Sequence, residues 1–97
     1  MIIVLGHVDA APDTIDEALA LSLEHVRRSR LEAGCISHAV HRDAEHPYRL
    51  VFVERWADRD ALDAHFRVPE SGAFVDAVSA LAVGRPAMDI YSTVDGP

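Results

Sequence analysis

A chain of 97 residues, nearly half of them apolar, is long enough for one folded domain and too short for two, so we treat residues 1–97 as one unit. Its formal charge of −7, with no Lys, argues against nucleic acid and anionic membranes as partners, because both attract clustered cations. The single Cys35 excludes an internal disulfide, and no apolar run reaches the ~18 residues of a membrane span. Without a signal-peptide pattern, the composition predicts a cytoplasmic protein, and its Arg and Ala content is typical of a high-GC bacterial genome.

The first two elements follow from the spacing of apolar residues. Ile2–Val8 is a short β-branched run that predicts a strand. Thr14 and Glu17 form a capping-box pattern at the start of a helix over about Ile15–Leu31. Gly34 is placed to end that helix, because glycine is the usual residue at a helix C-terminus.

Two strands, two helical segments and a last strand follow. Cys35–Arg42 and Tyr48–Trp56 predict strands joined by a polar hairpin loop. Asp58 is placed to cap a short helix, and Ser71 to cap a second helical segment. Ala87–Val94 is the last predicted strand. The order β-α-β-β-α-β predicts a ferredoxin-like α+β domain, with an antiparallel sheet and its helices on one face.

The predicted strands are apolar on both faces. Val4 and Leu5 point to opposite sides of the first strand, and Phe52 and Val53 do the same in the third. A lone monomer would expose one of these faces to water. A second copy of the same sheet is the simplest cover, so the sequence predicts a two-fold homodimer with a barrel-like interface.

Sites for common cofactors are missing from the sequence. No Gly-rich phosphate loop or G-x-G-x-x-G occurs, so we expect no nucleotide or flavin. His38 and His41 face opposite sides of a strand, and no His-x-x-x-His lies on a helix. We therefore expect no convergence of histidines at metal spacing, no metal and no cofactor. Arg27, Arg28 and Arg30 suit the dipole at the end of the first helix better than they indicate an anion site.

One candidate site remains, around the end of the third strand. Glu54 and Trp56 are two residues apart and share a strand face, and His65 follows on a helix that can lean over that face. A carboxylate, an indole and an imidazole beside an apolar slot suit the binding and deprotonation of a phenol or an enol. The alternative is structural, with Trp56 a core residue and His65 a half-exposed helix residue.

The chain resembles the antibiotic biosynthesis monooxygenase superfamily over nearly its whole length. The resemblance is carried by the stretches Gly34-Cys35, His41-Arg42-Asp43, Glu54-Arg55-Trp56-Ala57-Asp58, Ala61-Leu62-Asp63-Ala64-His65 and Val68-Pro69. These motifs mark the fold more specifically than the reaction. The resemblance implies a dimeric α+β barrel, and many members are cofactor-free oxygenases acting on phenols, quinols or polycyclic aromatic intermediates.

Within that superfamily, the resemblance favours the quinol-monooxygenase branch, through Glu54, Trp56 and His65. That branch usually carries a second His just after the Pro, where this chain has Glu70. The polyketide-oxidising branch uses an Asn at the place of Phe52, so the same polyketide chemistry is doubtful.

Other branches fit less well or leave alternatives. The Tyr and Arg of the polyketide-oxidising branch fall at Leu62 and Asp76 here. The haem-degrading branch needs an axial His near Val75, so haem is not expected. An isomerase branch shares the Glu…His pattern. His38 sits where relatives often carry Tyr, either lining the slot or buried as a structural residue.

The leading hypothesis is a cofactor-independent monooxygenase that oxidises a small phenol or quinol with O₂. His65 is the candidate base, and Glu54 either orients it or satisfies a sheet or dimer contact. The candidate substrate-binding residues are Trp56, His38, Phe52 and Glu70. The alternatives are an isomerase or tautomerase that moves protons without oxygen, and a non-enzymatic dimer that binds a small ligand.

Overall fold

A computed structural model describes residues 1–94, which form four strands and three helices in the predicted order. The strands are β1 (Ile2–Asp9), β2 (Cys35–Arg42), β3 (Arg49–Trp56) and β4 (Ala87–Ser92), and the helices are α1 (Ile15–Ser29), α2 (Arg59–Arg67) and α3 (Pro69–Leu81). The strands pair antiparallel in the order β2-β3-β1-β4. The predicted ferredoxin-like α+β fold is confirmed. Within residues 1–94, no helix is long and apolar enough to cross a membrane.

The two faces of the sheet differ in cover. On the face beneath the helices, Val4 and Leu50 have no exposed surface. On the opposite face, Leu5 is 41% and Tyr91 52% exposed. The register places Leu5 opposite Val53, so neighbouring strands contribute to the same apolar surface. The two-faced pattern of the sequence is therefore present in the fold, and this chain alone covers only one face.

Two groups of residues lie beneath the helices. The apolar cluster contains only aliphatic residues and one Phe: Val8, Ala10, Ile15, Ala18, Val26, Leu50, Phe52 and Val78. The histidine cluster consists of His25, His38 and His65, with the carboxylates of Glu32 and Glu54 in contact with it. A smaller apolar group around Trp56 and Leu62 packs beside the histidine cluster.

Helix α1 begins at Ile15, as predicted, and the predicted cap of α2 is present, but the predicted capping contact of α1 is not. Asp58 caps α2, because its carboxylate accepts a hydrogen bond of 2.8 Å from the Ala61 N–H. The Thr14 hydroxyl instead accepts from the Ala11 N–H at 2.9 Å and donates to the Leu81 carbonyl at 3.0 Å. The capping-box prediction for Thr14 and Glu17 is therefore wrong, since this hydroxyl joins the start of α1 to the end of α3.

Three boundaries differ from the prediction by two residues or more. Helix α1 ends at Ser29, before the predicted Leu31, and Gly34 does not cap it. Gly34 has a φ of +81° in the turn into β2, where a Cβ would lie 2.5 Å from the Ala61 Cβ. Helix α3 begins at Pro69, so Ser71 lies within it; its hydroxyl accepts a 3.3 Å hydrogen bond from Arg28. Strand β4 ends at Ser92, two residues before the predicted Val94.

Candidate active site

A cavity of about 670 Å³ lies between the sheet and the helices. Phe52 from β3 and Phe74 from α3 form part of its apolar wall, and His25, Glu54 and His65 provide polar groups. Cavities of this size and composition accommodate small organic molecules, with a few polar groups that fix their orientation. The slot predicted between the helices and the sheet therefore exists.

The structure divides the candidate residues between this wall and the interior behind it. Phe52, Glu54 and His65 line the cavity. Trp56 has no exposed surface and His38 is 1% exposed, so both lie behind the wall. Glu70 lines a separate groove between α1 and α3. The expected ligand contacts of Trp56, His38 and Glu70 are therefore not formed by this cavity.

Trp56 is buried because it ends β3 beneath α2, where it packs with Leu62. Its indole ring lies 4.6 Å from the His65 ring, between centroids. The indole Nε1–H donates a 2.9 Å hydrogen bond to Oε1 of Glu54. The position of Trp56 therefore supports the alternative that it is a core residue. His65 is only 3% exposed, but it lines the cavity.

Glu54 is held as a carboxylate by its neighbours. His38 Nε2 lies 3.2 Å from Glu54 Oε1, the oxygen that also accepts the Trp56 hydrogen bond. Burial raises the pKa of Glu54, but the contacts with His38 and Trp56 outweigh burial, so the pKa lies below its usual range. The contact of Glu54 with His38 joins β3 to β2, which supports the alternative that Glu54 satisfies a contact within the sheet.

The carboxylate that orients His65 is Glu32, which the sequence analysis missed. His65 Nδ1 lies 2.9 Å from Glu32 Oε1, and the two side chains are 4% and 19% exposed. The Nδ1–H donates to this oxygen, which leaves the lone pair on Nε2. The expected orienting contact from Glu54 is replaced by this pair. No local pattern in the sequence reveals this pair, because the turn that carries Glu32 meets α2 only through the close approach of Gly34 to Ala61.

His25 was also missed, and it completes a cluster of three histidines. Its ring stacks on Phe74 with centroids 4.1 Å apart and an angle of 6° between planes. One ring nitrogen from each of His25, His38 and His65 lies within 4.8 Å of the others. The expectation that the histidines do not converge is wrong, because they come from α1, β2 and α2 and no local spacing reveals their meeting.

The histidine cluster combines a neutral imidazole with unsatisfied nitrogens. Burial lowers the pKa of His25 to about 3, and the nearby His38, His65 and Arg28 add to the shift. Arg28 Nη2 donates a 2.8 Å hydrogen bond to His25 Nδ1. Among residues 1–94, neither ring nitrogen of His38 makes a hydrogen bond, although Nε2 lies 3.2 Å from Glu54 Oε1.

Known proteins share both the sequence and the fold. The sequence profile of the family described as antibiotic biosynthesis monooxygenase matches residues 1–77. An uncharacterized protein of Synechocystis sp. is 34% identical over 94 residues, which cover 97% of this chain and 64% of that protein. This chain thus spans less than two thirds of that relative's length.

Two solved structures give the same result. One is a crystal structure described as an antibiotic biosynthesis monooxygenase; it is 28% identical, has a TM-score of 0.90, and the match covers 98% of this chain and 100% of that one. The other is Rv0793 from Mycobacterium tuberculosis, at 26% identity and a TM-score of 0.90, covering 98% of this chain and 96% of that one.

Proposed function

The chain belongs to the antibiotic biosynthesis monooxygenase family, and on that basis we propose that it oxidises a small phenol or quinol with O₂ without a flavin. The observation that supports the proposal most is the His65–Glu32 pair on the wall of the apolar cavity. A carboxylate on Nδ1–H fixes the ring so that Nε2 can accept a proton from a bound hydroxyl. Phe52 and Phe74 supply the aromatic surface on which a ring can pack.

The proposed chemistry begins with transfer of the phenolic proton to His65 Nε2. The imidazolium that forms is stabilised by the Glu32 carboxylate at 2.9 Å. The electron-rich anion then adds O₂ at a ring carbon, and His65 returns its proton to the peroxide oxygen. The ring hydroperoxide loses water, because the hydrogen on that carbon leaves with the outer OH group and the carbon becomes a carbonyl. A hydroquinone becomes a hydroxyquinone in this way: one oxygen atom enters the ring, the other leaves as water, and the substrate supplies all the electrons.

The test is an oxygen-electrode screen of the pure protein against substituted hydroquinones and polycyclic phenols. The proposal predicts saturable O₂ uptake and, with isotope-labelled O₂, one labelled oxygen atom in the product. Turnover that continues unchanged under argon would instead identify an isomerase or tautomerase. Saturable binding without any product would identify a ligand-binding protein, and either result would overturn the monooxygenase proposal.

We also propose that two copies pair through their uncovered sheet faces. The apolar residues of this face are Ile3, Leu5, Ala39, Val51, Val53 and Tyr91. Burying such a surface is favourable, by about 25 cal/mol per Å². Light scattering should return twice the chain mass of 10.6 kDa, and Leu5→Asp should shift the protein towards the monomer. A wild-type monomer at micromolar concentration would contradict the proposal.

The cytoplasmic location and the absence of nucleic-acid or membrane partners stay predictions from composition.

A further inference from the structure

We propose that the histidine cluster is a binding site for one divalent transition-metal ion of the zinc type. His25, His38 and His65 are 6%, 1% and 3% exposed, and their ring nitrogens lie within 4.8 Å of one another. Buried polar groups are normally hydrogen-bonded, because an unsatisfied one costs about 1–3 kcal/mol. Among residues 1–94 the two ring nitrogens of His38 lack such partners, and an ion bound between the three rings would satisfy one of them.

Two of the three rings already have the form that a metal ligand requires. The Nδ1–H of His65 donates to Glu32, the carboxylate–histidine arrangement that orients many metal-binding imidazoles, and this leaves the Nε2 lone pair. His25 Nδ1 accepts a 2.8 Å hydrogen bond from Arg28, a group that can only donate, so this ring carries a lone pair and need not lose a proton to bind an ion.

The charges around the cluster also suit a divalent cation. Glu32 lies 2.9 Å from His65 Nδ1, and Glu54 lies 3.2 Å from His38 Nε2, so two carboxylates flank the three rings. Arg28 competes with the ion for His25, because Arg28 Nη2 donates a 2.8 Å hydrogen bond to His25 Nδ1. An ion bound to His25 Nδ1 occupies the lone pair that accepts the Arg28 hydrogen bond. An ion bound to His25 Nε2 moves the ring proton to Nδ1, which can then no longer accept that hydrogen bond. Through either nitrogen, the ion displaces Arg28.

The donor set and the spacing narrow the choice of metal. Nitrogen ligands at ~2.0–2.1 Å from a tetrahedral zinc ion lie ~3.4 Å apart, so ring nitrogens that are now within 4.8 Å of one another must move inward by up to about 1.4 Å. Imidazoles favour zinc, cobalt, nickel or copper over the oxygen-binding magnesium and calcium. The cavity beside His25 and His65 leaves room for a fourth ligand.

This inference does not depend on the proposed oxidation. His65 cannot hold an ion and accept a proton on the same nitrogen, so the oxidation belongs to the metal-free chain, and added zinc should inhibit it. Metal binding is measured without substrate. Its failure therefore leaves the oxidation untouched, and failure of the oxidation leaves the metal site untouched.

The test is equilibrium dialysis of untagged, chelator-stripped protein against zinc chloride, with the bound metal counted by mass spectrometry. One zinc ion per chain is expected. His38→Phe should weaken binding at least 10-fold, since even losing an outer-shell contact typically costs 10–100-fold. The matched control is His46→Phe, in the exposed loop that follows the same strand, which should bind as the wild type does. Arg28→Met should bind more tightly, because it removes the competing hydrogen bond.

Three results would overturn the site. The first is no stoichiometric zinc on the wild type at micromolar free metal. The second is equal weakening by His38→Phe and His46→Phe. The third applies if the His38 variant fails to fold: absorption of cobalt-loaded wild type as weak as that of the octahedral aqua ion overturns the site, because the tetrahedral coordination expected here gives intense visible bands.

Discussion

The apolar cluster and the histidine cluster lie under the same helices, yet they contribute to the protein in opposite ways. The apolar cluster buries aliphatic side chains such as Leu50 and Val26, which stabilise the fold through the hydrophobic effect. The histidine cluster buries ionisable rings and the Glu54 carboxylate, groups that cost free energy to remove from water. Buried groups that destabilise the fold in this way are expected at functional sites, whereas the apolar cluster is expected to stabilise the fold.

The largest effect should come from the apolar cluster. Leu50 has no exposed surface, so Leu50→Ala leaves a cavity and should lower the free energy of unfolding by about 2–5 kcal/mol. Urea denaturation measures this loss. Leu31→Ala is the control, because Leu31 is 87% exposed and its change should stay within about 0.5 kcal/mol. Equal losses in the two variants would contradict the assignment of the apolar cluster.

Trp56 tests the junction with the histidine cluster. Trp56→Phe keeps an aromatic ring but removes the Nε1–H that donates to Glu54 at 2.9 Å. The buried carboxylate then loses a donor, at about 1–3 kcal/mol of stability. The pKa of Glu54 should rise, because one of the contacts that lower it is gone. NMR titration of the Glu54 carboxyl carbon reports this shift, and an unmoved pKa would show that Trp56 does not hold the carboxylate.

Acid should destabilise the protein through His25. Burial lowers its folded pKa to about 3, against about 6.5 in the unfolded chain. Below the pKa of the unfolded chain, His25 binds a proton in the unfolded state and stays neutral in the folded state. Stability therefore falls with pH from about 6.5 towards 3, by at most about 1.4 kcal/mol per pH unit. His25→Phe retains stacking on Phe74 and should flatten this slope in chelator-containing buffer. A slope equal to that of wild type would refute the assignment.

The smallest effect concerns the link between helices that the sequence misidentified. Thr14→Val removes the hydroxyl that bonds Ala11 and Leu81, and should cost about 0.5–1.5 kcal/mol. Thr14→Ser keeps the hydroxyl and should cost less. If the two substitutions are equally mild in urea denaturation, the hydroxyl does not join α1 to α3.

The sequence predicted what depends on local pattern. Alternation gave the strands and the two apolar faces, and Asp58 gave a helix start, because each signal lies within a few residues. It also placed His65 correctly on the helix-covered side of the sheet. Hydroxyl contacts were less predictable, because Thr14 found a partner 67 positions along the chain that competes with local capping.

The composition of the site could not be derived in the same way. His25 and Glu32 meet His65 only through the packing of α1 against the sheet and the close approach of Gly34 to Ala61. Trp56 was expected to touch a ligand, but residues that share a strand face can differ in depth. Glu54 reaches the cavity wall, whereas α2 covers Trp56.

The most direct test of the central claim is O₂ uptake by His65→Ala with the phenol or quinol that the wild type oxidises fastest. Turnover should fall by roughly 10²-fold or more, the usual contribution of one positioned acid–base group. The control His46→Ala, in the exposed loop between β2 and β3, should keep wild-type turnover. The assignment of His65 as the base would be wrong if His65→Ala kept wild-type turnover and Glu70→Ala lost it instead. The base would then lie in the groove between α1 and α3.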